Sequence, residues 1–356
     1  MAEGLAGAGA VDAPAVAVQG GVVVGVGKRA LEMGFKRLEL EGLWLAPGAV
    51  DAHVHLHLGG GKQKALSASS AWGLVAVRDM GHGPLKPLPA NPSPPPAVVC
   101  CGPGIYQASG ARSWMAEPVG SEDAARQAVR ARARAGAGFI KVFSTGLLDF
   151  ASPGTVDHAQ GMDEQLLGAV VEEAAAASMK VAVHASGSKA VQAAIRAGVW
   201  SVEHGFFLDE TTFELMAARG VWWVPTIVAV QAHATDPAGR HPQEVRAGAA
   251  EIVRIQQQAL VVARNKGVAL AMGTDAGSYG VGHGEGLAQE MRLWLEAGID
   301  PHEVFRAATA GAAAAAGMEG IVGTITEGAQ AWIVGVTADP RKEPLGLVKP
   351  RWRSWK

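Results

Sequence analysis

The chain has 356 residues, of which 49% are hydrophobic and 18% charged, a composition typical of a globular protein with a sizeable core. Its 31 basic and 33 acidic residues give a formal net charge of -2, which favours neither nucleic acid nor an anionic membrane as a partner. From the opening residues and the lengths of the apolar runs, we expect no secretory leader and no membrane-spanning segment.

The two ends of the chain share a pattern of short β-rich runs joined by glycine turns. "VAVQGGVVVGVG" and "RLELEGLWLAP" lie in the first part, and "GTITEGAQAWIVGV" lies after about Glu319. Such runs are typical of short strands. We therefore predict that residues 1–46 and 319–356 pair into a small β-sandwich domain, beside a larger domain at 47–318.

Eight β-rich runs recur along the larger domain. They are 50–56, 74–80, 97–105, 139–145, 180–186, 201–207, 221–227 and 268–277. Most are almost continuously apolar, as expected for parallel strands covered by helices. Helical patterns separate several of them, at 121–136, 162–178, 188–198 and 209–220. This alternation predicts an α/β protein with a (β/α)8 TIM barrel, with a doubly wound open sheet as the alternative fold.

One connection breaks the alternation. Residues 82–96, "HGPLKPLPANPSPPP", are too rich in proline for a helix and are expected to form an extended connection around the barrel. A proline-rich recognition peptide is the less favoured interpretation.

The cysteines indicate the cellular compartment of the protein, and the carboxyl-terminal tail is a candidate contact between subunits. Cys100 and Cys101 are neighbours in an apolar run, so we expect buried thiols in a reducing, cytoplasmic compartment rather than a disulfide. The basic tail "KPRWRSWK" is expected to be a solvated end or a contact between subunits rather than a surface for RNA or lipid. We expect a homo-oligomer.

Three histidines alternate in the first barrel strand, in "APGAVDAHVHLHLGGG". Alternate residues of a strand share one face, so His53, His55 and His57 point in the same direction and can converge on one object. A metal ion is the leading candidate, and a polar core or a wet strand face is the alternative.

Further metal-binding residue types follow on later strands. Lys141 lies on strand four, His184 on strand five, His204 on strand six and Asp275 at the end of strand eight. The carboxyl ends of all strands of a parallel barrel meet at one mouth, where active sites of such barrels are built. Residues far apart in the sequence are therefore predicted to meet in space.

This set resembles the amidohydrolase superfamily, in particular its imidazolonepropionase-like and prolidase-like branch. "APGAVDAHVH" is similar to the strand-one signature, "GFIKVFSTG" to the strand-four lysine, "VAVHASG" and "SVEHG" to the two later histidines, and "GTDAG" to the strand-eight aspartate. The resemblance extends from about Val16 to about Val336, and "GAQAWIVGVTADP" departs from the usual final strand. It implies a hydrolase barrel with a flanking β-sandwich and one or two divalent metal ions.

The resemblance also implies a role for each ligand. His53, His55 and Asp275 would hold the first metal, His184 and His204 the second, and Lys141 would bridge both. Beside two dications the pKa of a lysine falls, and the neutral amine can take up CO₂ to become a carbamate ligand. We expect zinc in both positions. An ion-paired Lys141 would instead leave a site with one metal.

Asp275 has a second implied role, as the catalytic residue. It would accept a proton from the attacking water, whose pKa a metal lowers, and pass that proton to the leaving nitrogen.

Substrate recognition is expected from the loops after the strands. The candidates are His57, Tyr106, Arg112, His233 and His283, with His158, Arg240 and Tyr279 in the same loops. His57 is expected in the second layer around the metals or in the pocket lining, or it has only a structural role.

The leading hypothesis is hydrolysis of an amide bond in a small molecule such as a dipeptide or an N-acyl amino acid. The alternatives are a one-metal relative that acts on a cyclic amide, a deaminase substrate or a carbamate, and a catalytically silent relative with the same fold.

Overall fold

The structure is a computed structural model, and it describes residues 15–81 and 95–355. The expected extended connection at 82–96 lies almost wholly outside the described residues.

The β-strands of the described residues are short. They are β1 Val16–Gln19, β2 Val22–Val26, β3 Trp44–Pro47, β4 Ala49–Val54, β5 Leu74–Asp79, β6 Ala97–Cys100, β7 Gly104–Gln107, β8 Ala116–Val119, β9 Ile140–Phe143, β10 Val181–Ala185, β11 Ser201–His204, β12 Trp222–Val224, β13 Ala269–Leu270, β14 Ile333–Val336 and β15 Trp352–Arg353.

The α-helices alternate with the central strands. They are α1 Lys28–Glu32, α2 Lys62–Ala71, α3 Glu122–Arg134, α4 Glu164–Ala176, α5 Ser188–Ala197, α6 Glu210–Arg219, α7 Ile227–Thr235, α8 Gln243–Asn265, α9 Glu285–Glu296, α10 Pro301–Arg306 and α11 Ala312–Ala315. A π-helical turn at Ala307–Gly311 joins the last two, and a 3₁₀ helix covers Pro344–Val348.

Two parallel sheets form the centre of the molecule. One has seven strands in the order β13-β12-β11-β10-β9-β7-β8, and the other has three in the order β4-β5-β6. Because consecutive strands are parallel, each connection must cross over, and helices supply most of these crossovers. The fold is therefore α/β, as predicted.

Backbone hydrogen bonds join the two sheets at both edges. Ala52 N donates to Met272 O at 2.9 Å, and Val54 forms a parallel bridge with Ala276, which connects β4 to the chain after β13. At the other edge, Gly138 N donates to Cys100 O at 2.9 Å. This continuity is consistent with a (β/α)8 barrel.

The third predicted strand is divided in two. A single strand was expected at 97–105, but β6 pairs with β5, and β7 pairs with β8 and β9. Pro103 lies in the interruption, where it offers no N–H to a sheet and favours a break. The eighth predicted strand is also shorter than expected, because only Ala269 and Leu270 pair as a regular strand.

All four predicted helices are present, and three of them begin with a side-chain cap. The side chains of Ser121, Asp163 and Asp209 accept hydrogen bonds from the first-turn N–H groups of α3, α4 and α6. Gly198 and Gly220 end α5 and α6 in the left-handed conformation that a residue without Cβ adopts most easily. The sequence did not identify α7 and α8, which follow the seventh barrel strand.

The two chain ends meet in small antiparallel sheets. β3 from the amino-terminal part pairs with β14, which also pairs with β15. The β1-β2 hairpin contacts the same region through a bridge between Val22 and Gln330. The short strands predicted within "RLELEGLWLAP" and "GTITEGAQAWIVGV" are present as β3 and β14, of four residues each.

The apolar core lies between the central strands and the helices around them. It contains large side chains that are almost completely buried, including Trp223, Trp294 and Phe305. A separate small cluster, which includes Val23 and Ile333, fills the space between the terminal sheets. Among the described residues, no helix is both long enough and apolar enough to cross a bilayer.

Candidate active site

Three predicted metal ligands converge where β4 meets the chain after β13. His53 and His55 lie on the same face at the end of β4, and Asp275 N donates to His53 O at 2.8 Å. Asp275 Oδ1 lies 3.0 Å from His55 Nε2 and 3.5 Å from His53 Nε2. One ligand atom from each of the three residues lies within 4.8 Å of the others.

A close backbone approach holds this cluster together. Gly277 has φ +100°, and a Cβ added there would lie 2.5 Å from His55 O. Any larger residue at this position would therefore push the loop after β13 away from the histidines. Asp51 reinforces the junction, because its carboxyl group accepts hydrogen bonds from the Thr274 hydroxyl at 2.6 Å and the Thr274 N–H at 3.1 Å.

His184 and His204 lie beside the first cluster. Their ring centroids are 4.5 Å apart, and the His204 ring is 4.8 Å from that of His53. A hydrogen bond of 2.7 Å joins His204 Nδ1 to the Thr226 hydroxyl, which leaves Nε2 as the other ring nitrogen. The four imidazoles therefore form one continuous group.

Three residues at this group have a strained backbone conformation. His204, Thr226 and Asp275 have φ values of 67°, 48° and 60°, in the left-handed region that residues with side chains adopt at a cost. In a regular strand, neighbouring side chains point to opposite faces. The turn at His204 breaks this alternation, so both His204 and the preceding Glu203 approach His53.

Lys141 is buried on β9, next to β10. Its Nζ lies 5.2 Å from the centroid of the Phe143 ring and makes no hydrogen bond with the described residues. Burial lowers the pKa of Lys141 to about 8, although Glu203 favours the charged form. A buried amine without a partner, close to its neutral state, is an unusual feature for a structural lysine.

The sequence did not predict the pair formed by Glu203 and Arg78. His53 Nδ1 donates to Glu203 Oε2 at 2.8 Å, and Arg78 donates to Glu203 Oε1 at 2.8 Å. Burial alone would raise the pKa of Glu203, but Arg78 and His53 outweigh it and lower this pKa to about 2. The signal in the sequence was the presence of an arginine in the barrel strand "VRDMG" and of a glutamate in the barrel strand "SVEHG".

The protonation states suit metal binding. Burial lowers the pKa of His53 to about 4 and that of His184 to about 3, so both imidazoles are neutral near pH 7. For Asp275, burial opposes ionisation, but His55 and His53 outweigh it and lower the pKa below its usual value. Neutral imidazoles and a carboxylate are the ligands that zinc and related divalent ions prefer.

Buried atoms without partners provide a test of whether these residues fit a metal. His53 Nε2 and Lys141 Nζ are buried and make no hydrogen bond with the described residues. Unsatisfied buried polar atoms are rare and call for an explanation such as an ion. The donor set and these atoms both fit a divalent metal centre.

A cavity of about 510 Å³ opens over this group. Its floor carries His53, His55, Lys141, His184, His204 and Asp275. Its walls are mainly apolar and include Phe143, Leu148, Phe150, Phe206 and Val230. This size and lining are typical of a small-molecule site.

The structure separates the predicted substrate residues into two groups. Arg112 and His233 line the cavity. His57, Tyr106 and His283 do not. His283 is buried and its Nε2 lies 3.3 Å from Leu58 O, so it contacts the loop after β4 rather than the cavity.

The remaining loop candidates also contact protein groups rather than the cavity. His158 Nδ1 lies 2.8 Å from an Asp157 carboxylate oxygen. The Tyr279 hydroxyl donates to Asp236, and the Arg240 guanidinium lies 5.5 Å from the Tyr279 ring centroid.

Comparison with known sequences gives a match to the family model described as "Amidohydrolase family", over residues 44–353. An ochratoxinase from Aspergillus niger is 29% identical over 286 residues, which are 78% of this chain and 56% of that protein. The chain thus spans little more than half the length of this relative. An uncharacterized protein of Mycobacterium bovis is 28% identical over 319 residues, which cover 87% of this chain and 83% of that one.

The similar solved structures include a dipeptidase and a prolidase. A Xaa-Pro dipeptidase with methionine bound in the active site has a TM-score of 0.75 and 25% identity, covering 94% of this chain and 91% of that chain. A prolidase complexed with N-methylphosphonate-L-proline has a TM-score of 0.77 and 26% identity, covering 93% and 89%.

Proposed function

The chain belongs to the amidohydrolase family, and we propose that it hydrolyses the amide bond of a small substrate such as a dipeptide or an N-acyl amino acid. The observation that carries this proposal is the convergence of His53, His55 and Asp275 on the floor of a cavity that can enclose a small molecule. The similar dipeptidase and prolidase structures support a C–N bond as the target.

We propose that the floor residues hold two divalent metal ions, with zinc as the expected metal. His53, His55 and Asp275 are assigned to one ion and His184 and His204 to the other, with Lys141 between them. When bound, such ions lower the pKa of water and polarise a substrate carbonyl.

Lys141 is proposed to carry a CO₂-derived carbamate. The ammonium group first releases a proton to solvent. The uncharged amine then forms a C–N bond with CO₂ as one C=O π bond opens to give a carboxylate oxygen, and a second proton leaves the nitrogen for solvent, so that an anionic oxygen ligand replaces a cation. The pKa of about 8 that burial gives to Lys141 supports this step, because it makes the neutral amine accessible near physiological pH.

Asp275 is proposed to move the proton during hydrolysis. Its carboxylate lies at the centre of the cluster, within 3.5 Å of two imidazoles, and its pKa is below the usual value. It accepts the proton of the attacking water and then donates it to the leaving nitrogen. The apolar cavity walls limit access of bulk water to this exchange.

One observation favours a second candidate, a one-metal hydrolase of a cyclic amide or a deaminase. The ligand atoms that lie within 4.8 Å of one another come from His53, His55 and Asp275. A single bound ion per chain would favour this candidate over the two-metal enzyme.

Several broader features complete the proposal. We propose a (β/α)8 barrel at 47–318 and a β-sandwich domain from 1–46 and 319–356, which the small apolar cluster between the terminal sheets supports. We also propose a cytoplasmic homo-oligomer with a small-molecule amide substrate. The buried thiols of Cys100 and Cys101 fit a reducing compartment.

The test is turnover of a library of dipeptides and N-acyl amino acids by the purified metal-loaded protein. Wild type should hydrolyse members of the library, and Asp275→Asn should reduce kcat by about 10²- to 10⁴-fold, the usual contribution of general acid–base catalysis. No turnover by wild type, or equal turnover by the variant, would contradict the proposal.

A further inference from the structure

The hydroxyl of Thr226 contacts His204 instead of capping the helix that begins beside it. Thr226 immediately precedes α7, at the position where a threonine side chain usually accepts a hydrogen bond from a first-turn N–H group. Within the described residues, its side chain makes no such bond to α7. It has φ 48°, and its hydroxyl oxygen lies 2.7 Å from His204 Nδ1. The hydroxyl is therefore committed to the imidazole.

A carboxyl group from another helix takes the capping position. Glu290, on α9, accepts hydrogen bonds from Ile227 N at 3.1 Å and from Val228 N at 2.7 Å, in the first turn of α7. The Trp294 indole N–H also donates to Glu290, at 2.9 Å. The first N–H groups of a helix have no partner within that helix and need an acceptor from elsewhere. Glu290 thus does for α7 what the Thr226 hydroxyl would otherwise do.

Burial gives this division of roles its energetic weight. Thr226 and Glu290 are both completely buried. Without the oxygens of Glu290, the N–H groups of Ile227 and Val228 would be left without partners, at a cost in free energy. A threonine before a helix can supply an acceptor itself by turning its hydroxyl toward the first turn. That movement would withdraw the hydroxyl from His204.

The backbone of His204 is held separately from its ring. The His204 carbonyl oxygen accepts hydrogen bonds from Trp223 Nε1 at 2.9 Å and from Gln256 Nε2 at 2.7 Å. Both donors belong to buried side chains. These two bonds hold the turn at His204 but do not involve its imidazole. The orientation of the ring depends instead on the hydroxyl of Thr226.

The position of the ring proton matters for metal binding. A neutral imidazole carries its proton on one nitrogen and offers a lone pair on the other. When His204 Nδ1 donates to the Thr226 hydroxyl oxygen, Nε2 keeps the lone pair with which His204 would bind a metal. A change in the partner of Thr226 would therefore alter the metal-binding nitrogen.

We propose that Glu290 is a positioning residue for His204. By capping α7, it frees the Thr226 hydroxyl to hold the imidazole of His204 in the orientation and tautomer that a metal ion requires. Glu290 lies outside the cavity lining and acts through Ile227 and Val228. This inference rests on the proposed two-metal centre, which it deepens by adding a support for one of its ligands.

The first experiment is zinc titration of the metal-free protein in competition with a chelator. Thr226→Val, which removes the hydroxyl at similar volume, should weaken one of the two ions by about 10- to 100-fold, the usual effect of losing the partner of a metal-binding histidine. Thr226→Ser should bind as wild type. Glu290→Gln, whose amide places N–H groups against those of α7, should weaken the same ion by about 10-fold. Asp300→Ala, which removes the side-chain cap of α10, is the control and should bind as wild type.

The double variant separates this route from general damage. If Glu290 acts through the Thr226 hydroxyl, Glu290→Gln should add little to the loss caused by Thr226→Val, so the two effects should not be additive in free energy. Losses that multiply would overturn the inference, because Glu290 would then affect zinc by another route. Equal zinc affinity in Glu290→Gln and wild type would also overturn it.

The tautomer of His204 tests the inference without metal. ¹⁵N NMR of the metal-free protein should show the ring proton on Nδ1 in wild type and in Asp300→Ala, with the signal assigned by its loss in His204→Gln. Glu290→Gln and Thr226→Val should lose this preference. A wild type that binds fewer than two ions would contradict the two-metal proposal, yet a changed tautomer in Glu290→Gln would still support the inference. An unchanged tautomer in Glu290→Gln would contradict it.

Discussion

Glu203 accepts a hydrogen bond of 2.8 Å from His53 Nδ1 while its other oxygen accepts one of 2.8 Å from Arg78. All three side chains are buried. The carboxylate fixes the proton of His53 on Nδ1, so Nε2, which lies 3.5 Å from Asp275 Oδ1, keeps its lone pair for a metal. Partners of this kind orient metal-binding histidines and increase their basicity.

Replacing Glu203 with glutamine should therefore weaken metal binding without removing a ligand. We expect a loss of about 10- to 100-fold in metal affinity, measured by competition with a chelator. The free energy of unfolding should fall by about 3–5 kcal/mol, because the buried Arg78 charge loses its partner. Glu296→Gln, at an exposed position on α9, is the matched control. Unchanged metal affinity in Glu203→Gln would contradict this role.

The proposed carbamate on Lys141 can be detected directly. Wild-type protein equilibrated with ¹³C-bicarbonate and divalent metal should show a carbamate carbon resonance, since the buried amine is close to its neutral state. Lys141→Ala should lose that resonance and one bound metal ion, whereas Lys342→Ala, at an exposed position, should keep both. A resonance that persists in Lys141→Ala would assign the carbamate elsewhere.

Two helical glycines should respond to alanine in opposite directions. A Cβ at Gly248 on α8 would lie 1.7 Å from Phe150 O, whereas a Cβ at Gly168 on α4 would meet nothing within 4 Å. Gly248→Ala should destabilise the protein by about 1–3 kcal/mol through overpacking. Gly168→Ala should stabilise it by up to about 1 kcal/mol through helix propensity. Urea unfolding checks both.

The Gly248 variant also tests the cavity wall. Phe150 packs against His233, so displacing its backbone should disturb substrate binding as well as stability. An unchanged KM in Gly248→Ala would show that the chain relaxes elsewhere.

The carboxylate that caps α6, that of Asp209, gives a prediction for how the stability of the protein depends on pH. Hydrogen bonds from Thr212 are the main cause that lowers the pKa of Asp209 from 3.8 to about 2. A lowered pKa in the folded state stabilises the protein above pH 3.8, and this stabilisation is lost as pH falls through about 2. Because Asp209 is exposed, its contribution is that of a helix cap, about 1 kcal/mol.

Asp209→Ala should therefore lower the free energy of unfolding by about 1 kcal/mol at pH 7 and by less at pH 3. Asp209→Ser, which keeps a capping oxygen, should show a smaller loss at pH 7. A difference between wild type and Asp209→Ala that grows as the pH falls would refute the assignment.

The site residues that could be predicted from the sequence are those whose positions follow from regular β-strand geometry. Alternation along β4 places His53 and His55 on one face, and the meeting of parallel strand ends brings Asp275 to them. Glu203 escaped prediction because it precedes His204, and regular alternation places neighbours on opposite faces. His204 has a left-handed φ of 67°, which departs from regular strand geometry, and both side chains contact His53. No local sequence pattern predicts that φ value.

The loop candidates were harder to place for a related reason. His57 and His283 lie outside regular strands, where residue parity carries no information about direction. His283 instead contacts Leu58 O. His233 reached the cavity because it lies on α7, a helix that the sequence had not revealed.

The most direct measurement is the metal content of the purified protein after equilibrium dialysis against zinc, compared with the double variant His53→Asn/His55→Asn. We predict two bound ions per wild-type chain and the loss of at least one in the variant, with its fold retained by circular dichroism. Wild-type protein that retains no zinc, or a variant that binds as much as wild type, would contradict the assignment of these histidines as a metal centre.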